Sequence, residues 1–147
     1  MKITEALVAE HAVFYAQFDQ LERTLPTTKT LAEIKAVAAL LESALKTHAG
    51  LEDDLLFAAL EPCLDQLGKL ENVRHDHDAI DKMLGQVQKA RTRAEAQRVM
   101  MKVVHLARHE FDMEERIIFP MAENLLRSDT LLKLGKAWAR QRMVTFS

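Results

Sequence analysis

The sequence predicts an all-α fold: an up-down-up-down four-helix bundle with a short extra C-terminal helix. Three observations carry that expectation. The 147 residues include only 4 glycines and 3 prolines, so the chain has few places to turn. Ala, Leu, Glu, Lys, Gln and Met are common, whereas β-branched residues are scarce and aromatics reach 5%, which favours helix over strand. Apolar residues recur at alternating spacings of three and four along each long segment, the period of a helix with one buried face. At 16.7 kDa the chain fits one domain over 1–147, with the bundle core at about 3–126.

Local signals place the elements. A first helix is expected from Ile3 to Leu25, stopped by Pro26. Thr30 and Glu33 form a Thr-x-x-Glu capping box that opens a second helix, which ends near Leu60 ahead of Pro62. A third helix covers Leu64 to Ala90. Thr92 and Glu95 repeat the capping signature and open a fourth, running past Glu114 toward Leu126, with Pro120 expected to kink or end its last turns. Ser128 and Asp129 can cap a short fifth helix reaching about Met143. Connections this short make sequential helices antiparallel neighbours.

Composition excludes several function classes. Lys+Arg is 20 against Asp+Glu 22, a net charge of −2, which offers no basic face for nucleic acid. No apolar run approaches the roughly 18 residues a membrane span needs, and the opening MKITEALVAEH lacks the apolar stretch of a secretory signal. The single cysteine, Cys63, excludes an internal disulfide and a cysteine-based zinc cluster. A reducing cytoplasmic compartment is the expected location.

The informative residues are polar side chains inside the apolar stripes. On the first helix Leu7, Phe14, Phe18, Leu21 and Leu25 share a stripe with His11. The second carries Ile34, Ala38, Leu41, Leu45 and Leu55, interrupted by His48 and Glu52. His77 interrupts Leu70, Val73, Ile80, Leu84 and Val87 on the third, and Glu114 interrupts Met100, Val104, Ala107, Phe111, Ile118 and Met121 on the fourth. One such residue would be an ordinary core histidine. Five together are different, because a buried carboxylate without compensation costs several kcal/mol and no lysine or arginine shares these stripes. A polyvalent cation would compensate several of them at once.

His48 and Glu52 stand at i, i+4 and can serve one site. On the fourth helix two residues compete to partner Glu114. Glu110 is at i−4 and needs no distortion. His109 lies five residues away, about 140° around a regular helix, and requires a π-bulge. His109 is preferred, because four imidazoles with two carboxylates suit iron. His77 is preferred to His75, which points about 200° away from the stripe.

The two halves repeat. Glu10-His11-Ala-Val-Phe14 matches Asp76-His77-Asp-Ala-Ile80, and Glu52-Asp-Asp-Leu-Leu-Phe57 matches Glu114-Glu-Arg-Ile-Ile-Phe119. Two like half-sites facing each other suit two metal ions with the glutamates between them. Other metal motifs fail. The Glu-x-x-His pairs of ferritin-like di-iron sites are absent. His109-Glu110 begins a zincin-like string that ends in Met113 instead of histidine. His105 reads as a surface or supporting histidine, Cys63 as a small buried or loop residue, and the methionines as core filler.

These residues resemble the hemerythrin-like (HHE cation-binding) family. The resemblance runs from His11 to Pro120 and rests on His11, His48-Ala-Gly-Leu-Glu52 with Leu55-Leu-Phe57, His77, and His109 to Glu114 with Ile117-Ile-Phe119-Pro120. It implies two non-haem iron ions bridged by oxo and carboxylate groups. His11, His48, His77 and His109 would then be terminal ligands, and Glu52 and Glu114 bridges. Where true hemerythrins carry a further histidine on the third helix this chain has Val73, which implies more open coordination than an oxygen carrier has, with Tyr15 near enough to take part. The implied function is binding or sensing of O2, or of NO or peroxide, at an open iron position, by a binding or sensing protein more than a classical enzyme. The alternatives are a di-iron enzyme or repair protein that handles NO or peroxide or donates iron, and a metal-free or zinc-filled structural bundle.

Overall fold

A computed structural model describes residues 1–64 and 68–145 of the chain. The described residues are all-helical, with no strand, and pack as a helical bundle. Helix α1 spans Ile3–Thr24 and passes into a 3₁₀ turn, Leu25–Thr27, that accommodates Pro26. Helix α2 begins at Leu31–Leu51, goes through a π-helical turn at Glu52–Phe57, and closes with Ala58–Leu60 before a 3₁₀ turn at Glu61–Cys63. Helix α3 spans Gly68–Lys89; the expected start at Leu64 falls short of it, and 65–67 lie outside the described residues. Helix α4 runs Arg93–Met113, a second π turn at Glu114–Ile118, and Phe119–Leu125. Helix α5 is Ser128–Gln141. No helix among the described residues is long and apolar enough to cross a membrane.

Both threonine caps form. Thr30 Oγ1 accepts from the Glu33 N–H at 3.1 Å, and Thr92 Oγ1 from the Glu95 N–H at 3.2 Å, each satisfying an otherwise orphaned first-turn donor. Two sequence expectations are corrected, and of the two readings of Cys63 the loop one holds. Pro120 neither ends nor sharply breaks α4. It lies in the first turn after the π segment, where the ordinary hydrogen-bond ladder is already interrupted and a missing N–H costs little. The N-cap of α5 is Arg127; Ser128 is already helical, and the Asp129 carboxylate accepts from the Thr130 N–H. Cys63 is exposed in its 3₁₀ turn.

Cross-links fix how the helix ends meet. Gln97, early in α4, donates to the Leu25 carbonyl after α1 at 2.7 Å, while Lys2 and Thr4 at the start of α1 donate to Glu123 near the end of α4. Gln88, late in α3, donates to the Lys35 carbonyl early in α2. Helix α3 packs against α2 and α4, and α5 lies on α1. At that contact Gly135 has no room for a side chain, because a Cβ would run into the Met1 carbonyl oxygen and crowd the Ile3 nitrogen. Gly135→Ala is therefore expected to destabilise the fold by about 1–3 kcal/mol in a denaturation experiment, the usual cost of overpacking.

The apolar core has two parts. One gathers Phe14, Phe18, Leu21, Ile34, Leu41, Leu84, Met100 and Phe111; the other gathers Leu7, Leu56, Phe57, Leu70, Val73, Ile118, Phe119 and Trp138. Between them each of the first four helices contributes polar residues: His11, His48 with Glu52, His77, and Glu110 with Glu114. A polar layer of charged residues thus crosses the middle of the core, where hydrophobic burial alone would put leucine.

Candidate metal centre

Helical spacing delivers the six side chains. His11 follows Leu7 by one turn on the buried face of α1, and His48 and Glu52 follow Leu45 down α2. His77 sits between Val73 and Ile80 on α3, and Glu110 and Glu114 are one turn apart on α4. Glu52 and Glu114 each occupy the first residue of a π turn, so the repeat seen in sequence becomes a structural one. Such turns cost local hydrogen bonding and recur at functional sites.

Two groups of ligand atoms converge, and they share a residue. His11, His48 and Glu52 form one group and Glu52, His77 and Glu114 the other, with the atoms in each lying within 4.8 Å of one another. Glu52 Oε1 is 3.2 Å from His48 Nε2 and 3.6 Å from His11 Nε2. Its other oxygen, Oε2, is 3.7 Å from His77 Nε2, which is also paired with Glu110 Oε1. Glu52 therefore faces both groups, one oxygen to each. All but His77 are at most 1% exposed.

The residues fit a multivalent cation better than they fit one another. Both oxygens of Glu52 and of Glu114, and Glu110 Oε2, are buried without a hydrogen-bond donor among the described residues. Among the described residues the ion-pair partners of these carboxylates are histidines alone. His11 Nε2 and His48 Nε2 face each other at 3.1 Å, an arrangement in which one must donate to the other unless both turn a lone pair to an ion. Leaving this many buried acceptors unpaired costs on the order of 1–3 kcal/mol each, and a shared cation removes that cost.

The titration behaviour shows the same conflict. Burial pushes the Glu52 carboxyl up, but the His48 charge and the His11 imidazole beside it reverse this and hold it well below the usual range. Glu114 moves the other way: burial, and then the Glu52 carboxylate beside it, hold its proton well above the usual range. Burial also raises Glu110, against the pull of His77. Burial alone would lower His48, yet Glu52 and Glu10 bring it up to about 9. A cation would supply the positive charge these carboxylates lack and displace the protons they hold.

Outer residues orient the imidazoles. His11 Nδ1 donates to Glu115 Oε2 at 3.2 Å, and the same oxygen accepts from the Tyr15 hydroxyl at 3.0 Å, leaving His11 Nε2 turned inward. On the opposite side His48 Nδ1 lies 3.7 Å from Glu10 Oε1. Glu10 is in turn bonded to Arg142 and to the Trp138 indole N–H on α5. Burial would raise the Glu10 carboxyl, but His48, Trp138 and Arg142 draw it down to about 2. Phe111 stacks on His11 with centroids 3.9 Å apart, and Phe14 meets the His48 ring at 5.4 Å, so both imidazoles pack against aromatic rings.

Of the residues expected from sequence, His11, His48, Glu52, His77 and Glu114 come together, and His109 does not. His109 is exposed, in a surface groove with His75, Asp76 and Met113. The reason is where the π turn falls. It begins at Glu114 instead of preceding it, so α4 is regular through Met113 and the 140° offset of His109 stands uncorrected. Glu110, the competing residue, fills the place. His75 and His105 are exposed, and the Tyr15 hydroxyl bonds to Glu115 while its ring meets His11 edge-on at 6.4 Å. Sequence reasoning missed Glu10 and Glu115; their signal was adjacency, an acid immediately before His11 and another immediately after Glu114. His109→Ala is expected to leave bound metal at the wild-type level and stability within about 0.5 kcal/mol. Glu110→Ala is expected to lower metal content, both read by elemental analysis of purified protein.

The family model described as the hemerythrin HHE cation binding domain matches residues 2–128. No curated protein and no solved structure matches the chain.

Proposed function

The chain belongs to the hemerythrin family of HHE cation-binding domains, and from that premise we propose that it holds two non-haem iron ions and binds or senses O2, or a related small molecule such as NO or peroxide, at an open iron position. The observation that carries the reading is the sharing of Glu52 by two ligand groups, one oxygen facing His11 and His48 and the other facing His77. A carboxylate so placed could serve two ions at once. Glu114 would be the second shared carboxylate, and Glu110 would take the place of His109 as the ligand beside His77. The frame is a four-helix up-down-up-down bundle in a cytoplasmic protein.

Three imidazoles and three carboxylates suit iron, though imidazole and carboxylate also accept neighbouring first-row ions. Six side chains cannot fill the coordination of two ions even with Glu52 and Glu114 both bridging, which leaves positions for a small molecule. Bound iron would supply reversible electron donation to that molecule. The chain does the rest. Glu115 and Glu10 hold the two imidazoles with Nε2 inward, and Phe111 and Phe14 pack against their rings.

The test is the absorption spectrum of the iron-loaded protein, recorded under argon, in air, and again under argon. Charge-transfer bands that appear with O2 and disappear on its removal support binding or sensing. Consumption of added peroxide or NO over many turnovers would instead make the protein an enzyme. A spectrum that responds to none of them contradicts the proposal.

A further inference from the structure

A cleft of about 220 Å³ opens between α2 and α3 and ends on His48, His77 and Glu110. Its lining is acidic, with Asp53, Asp78 and Asp81. Lys46, the one lysine or arginine among the described lining residues, is held by Glu42 at 2.8 Å. At the inner end Glu110 Oε2 is buried and has no hydrogen-bond partner among the described residues, so the cleft leads from surface carboxylates to an unsatisfied ligand atom. Two other grooves near the centre differ. The one between α1 and α4, lined by Val8, Glu115 and Phe119, and the one containing His75 and His109 include none of the six converging residues.

Gly50 also lines the cleft, in the middle of α2 between His48 and Glu52. A glycine there costs roughly 1 kcal/mol of helix stability relative to alanine. Packing does not require it, because a Cβ at Gly50 would meet nothing within 4 Å. What the glycine provides is an open mouth beside the ligands.

We propose that the α2–α3 cleft is the uptake route for a hydrated divalent cation, with Asp78 and Asp81 attracting the ion and Gly50 keeping the mouth open. The proposal rests on the metal reading of the centre. Carboxylates at a narrow mouth concentrate cations and can speed association on the order of tenfold or more, in a manner that salt suppresses. Along the cleft the ion can exchange its water ligands one at a time, first against rim carboxylates and then against Glu110 and His77.

The experiment mixes metal-free protein with Co(II) and follows the visible absorbance of the bound ion. Four chains are compared: wild type, the pair Asp78→Asn with Asp81→Asn, Gly50→Trp, and the control Gly85→Trp. Gly85 has equally open space on α3 but lies outside the cleft. Asp53 is left intact because it sits beside Glu52 and faces Arg74 at 3.7 Å. The aspartate pair is expected to slow loading by about tenfold at low ionic strength, with the difference shrinking in high salt. Gly50→Trp is expected to slow it at least as much at any salt concentration. Both should reach the wild-type amount of Co(II) in the end, and Gly85→Trp should load at the wild-type rate. Loading as fast as wild type in the aspartate pair or in Gly50→Trp overturns the route, as does equal slowing by Gly85→Trp. Wild-type protein that takes up no Co(II) overturns the metal reading itself.

Discussion

Glu52→Gln is expected to lose both metal ions, the largest change any single substitution should make to metal content. The carboxylate is the one residue common to both ligand groups, and each of its oxygens faces different histidines. An amide has the same shape but presents one neutral oxygen and one NH2 group, so each ion loses a carboxylate oxygen and one of them faces an NH2 group instead. The companion change, Glu114→Gln, separates function from stability. Glu114 is buried beside Glu52 and Glu110 with no cation paired to it, and its proton is held well above the ordinary glutamate range. A group raised in the folded state contributes most below its unfolded value and loses that contribution as pH rises. Glutamine avoids this loss, so metal-free Glu114→Gln should match wild type below pH 4.5, the ordinary glutamate value, and become more stable toward neutrality. The gain at pH 7 is expected to be about 0.5–2 kcal/mol, read by urea denaturation, at the expense of metal binding.

Stripping the metal should lower the unfolding temperature by a wide margin. A ligand that binds only the folded chain stabilises it by about 4 kcal/mol when free ligand exceeds Kd by 1,000-fold. For a domain of this size that corresponds to roughly 8–16 °C. The centre supplies the physical reason, since unpaired buried oxygens on Glu52, Glu110 and Glu114 burden the metal-free fold. Scanning calorimetry before and after chelation reads the shift. Equal midpoints would mean that the polar layer is stable without an ion.

The fold was legible because its signals were local. Thr30 and Thr92 cap the helices they were expected to cap, and the stripes that pointed to a core are buried apart from the half-buried Leu55 and Met121. Five of the six converging side chains were legible for the related reason that charge in an apolar stripe demands a partner. The choice between His109 and Glu110 turned on something that periodicity does not encode, the start of the π turn. Regular spacing through Met113 favours Glu110, which stands to Glu114 as His48 stands to Glu52, whereas family-like spacing favours His109. The fifth helix was legible as an element but not as part of the centre. Its link runs from Trp138 and Arg142 through Glu10 to His48, contacts between residues far apart in sequence.

The most direct test of the central claim is the number of metal ions per chain. Wild type reconstituted with Fe(II) under argon and freed of excess should retain two, Glu52→Gln none, and His109→Ala two. One ion or none in wild type, or two in Glu52→Gln, would contradict a dinuclear centre built around a shared glutamate.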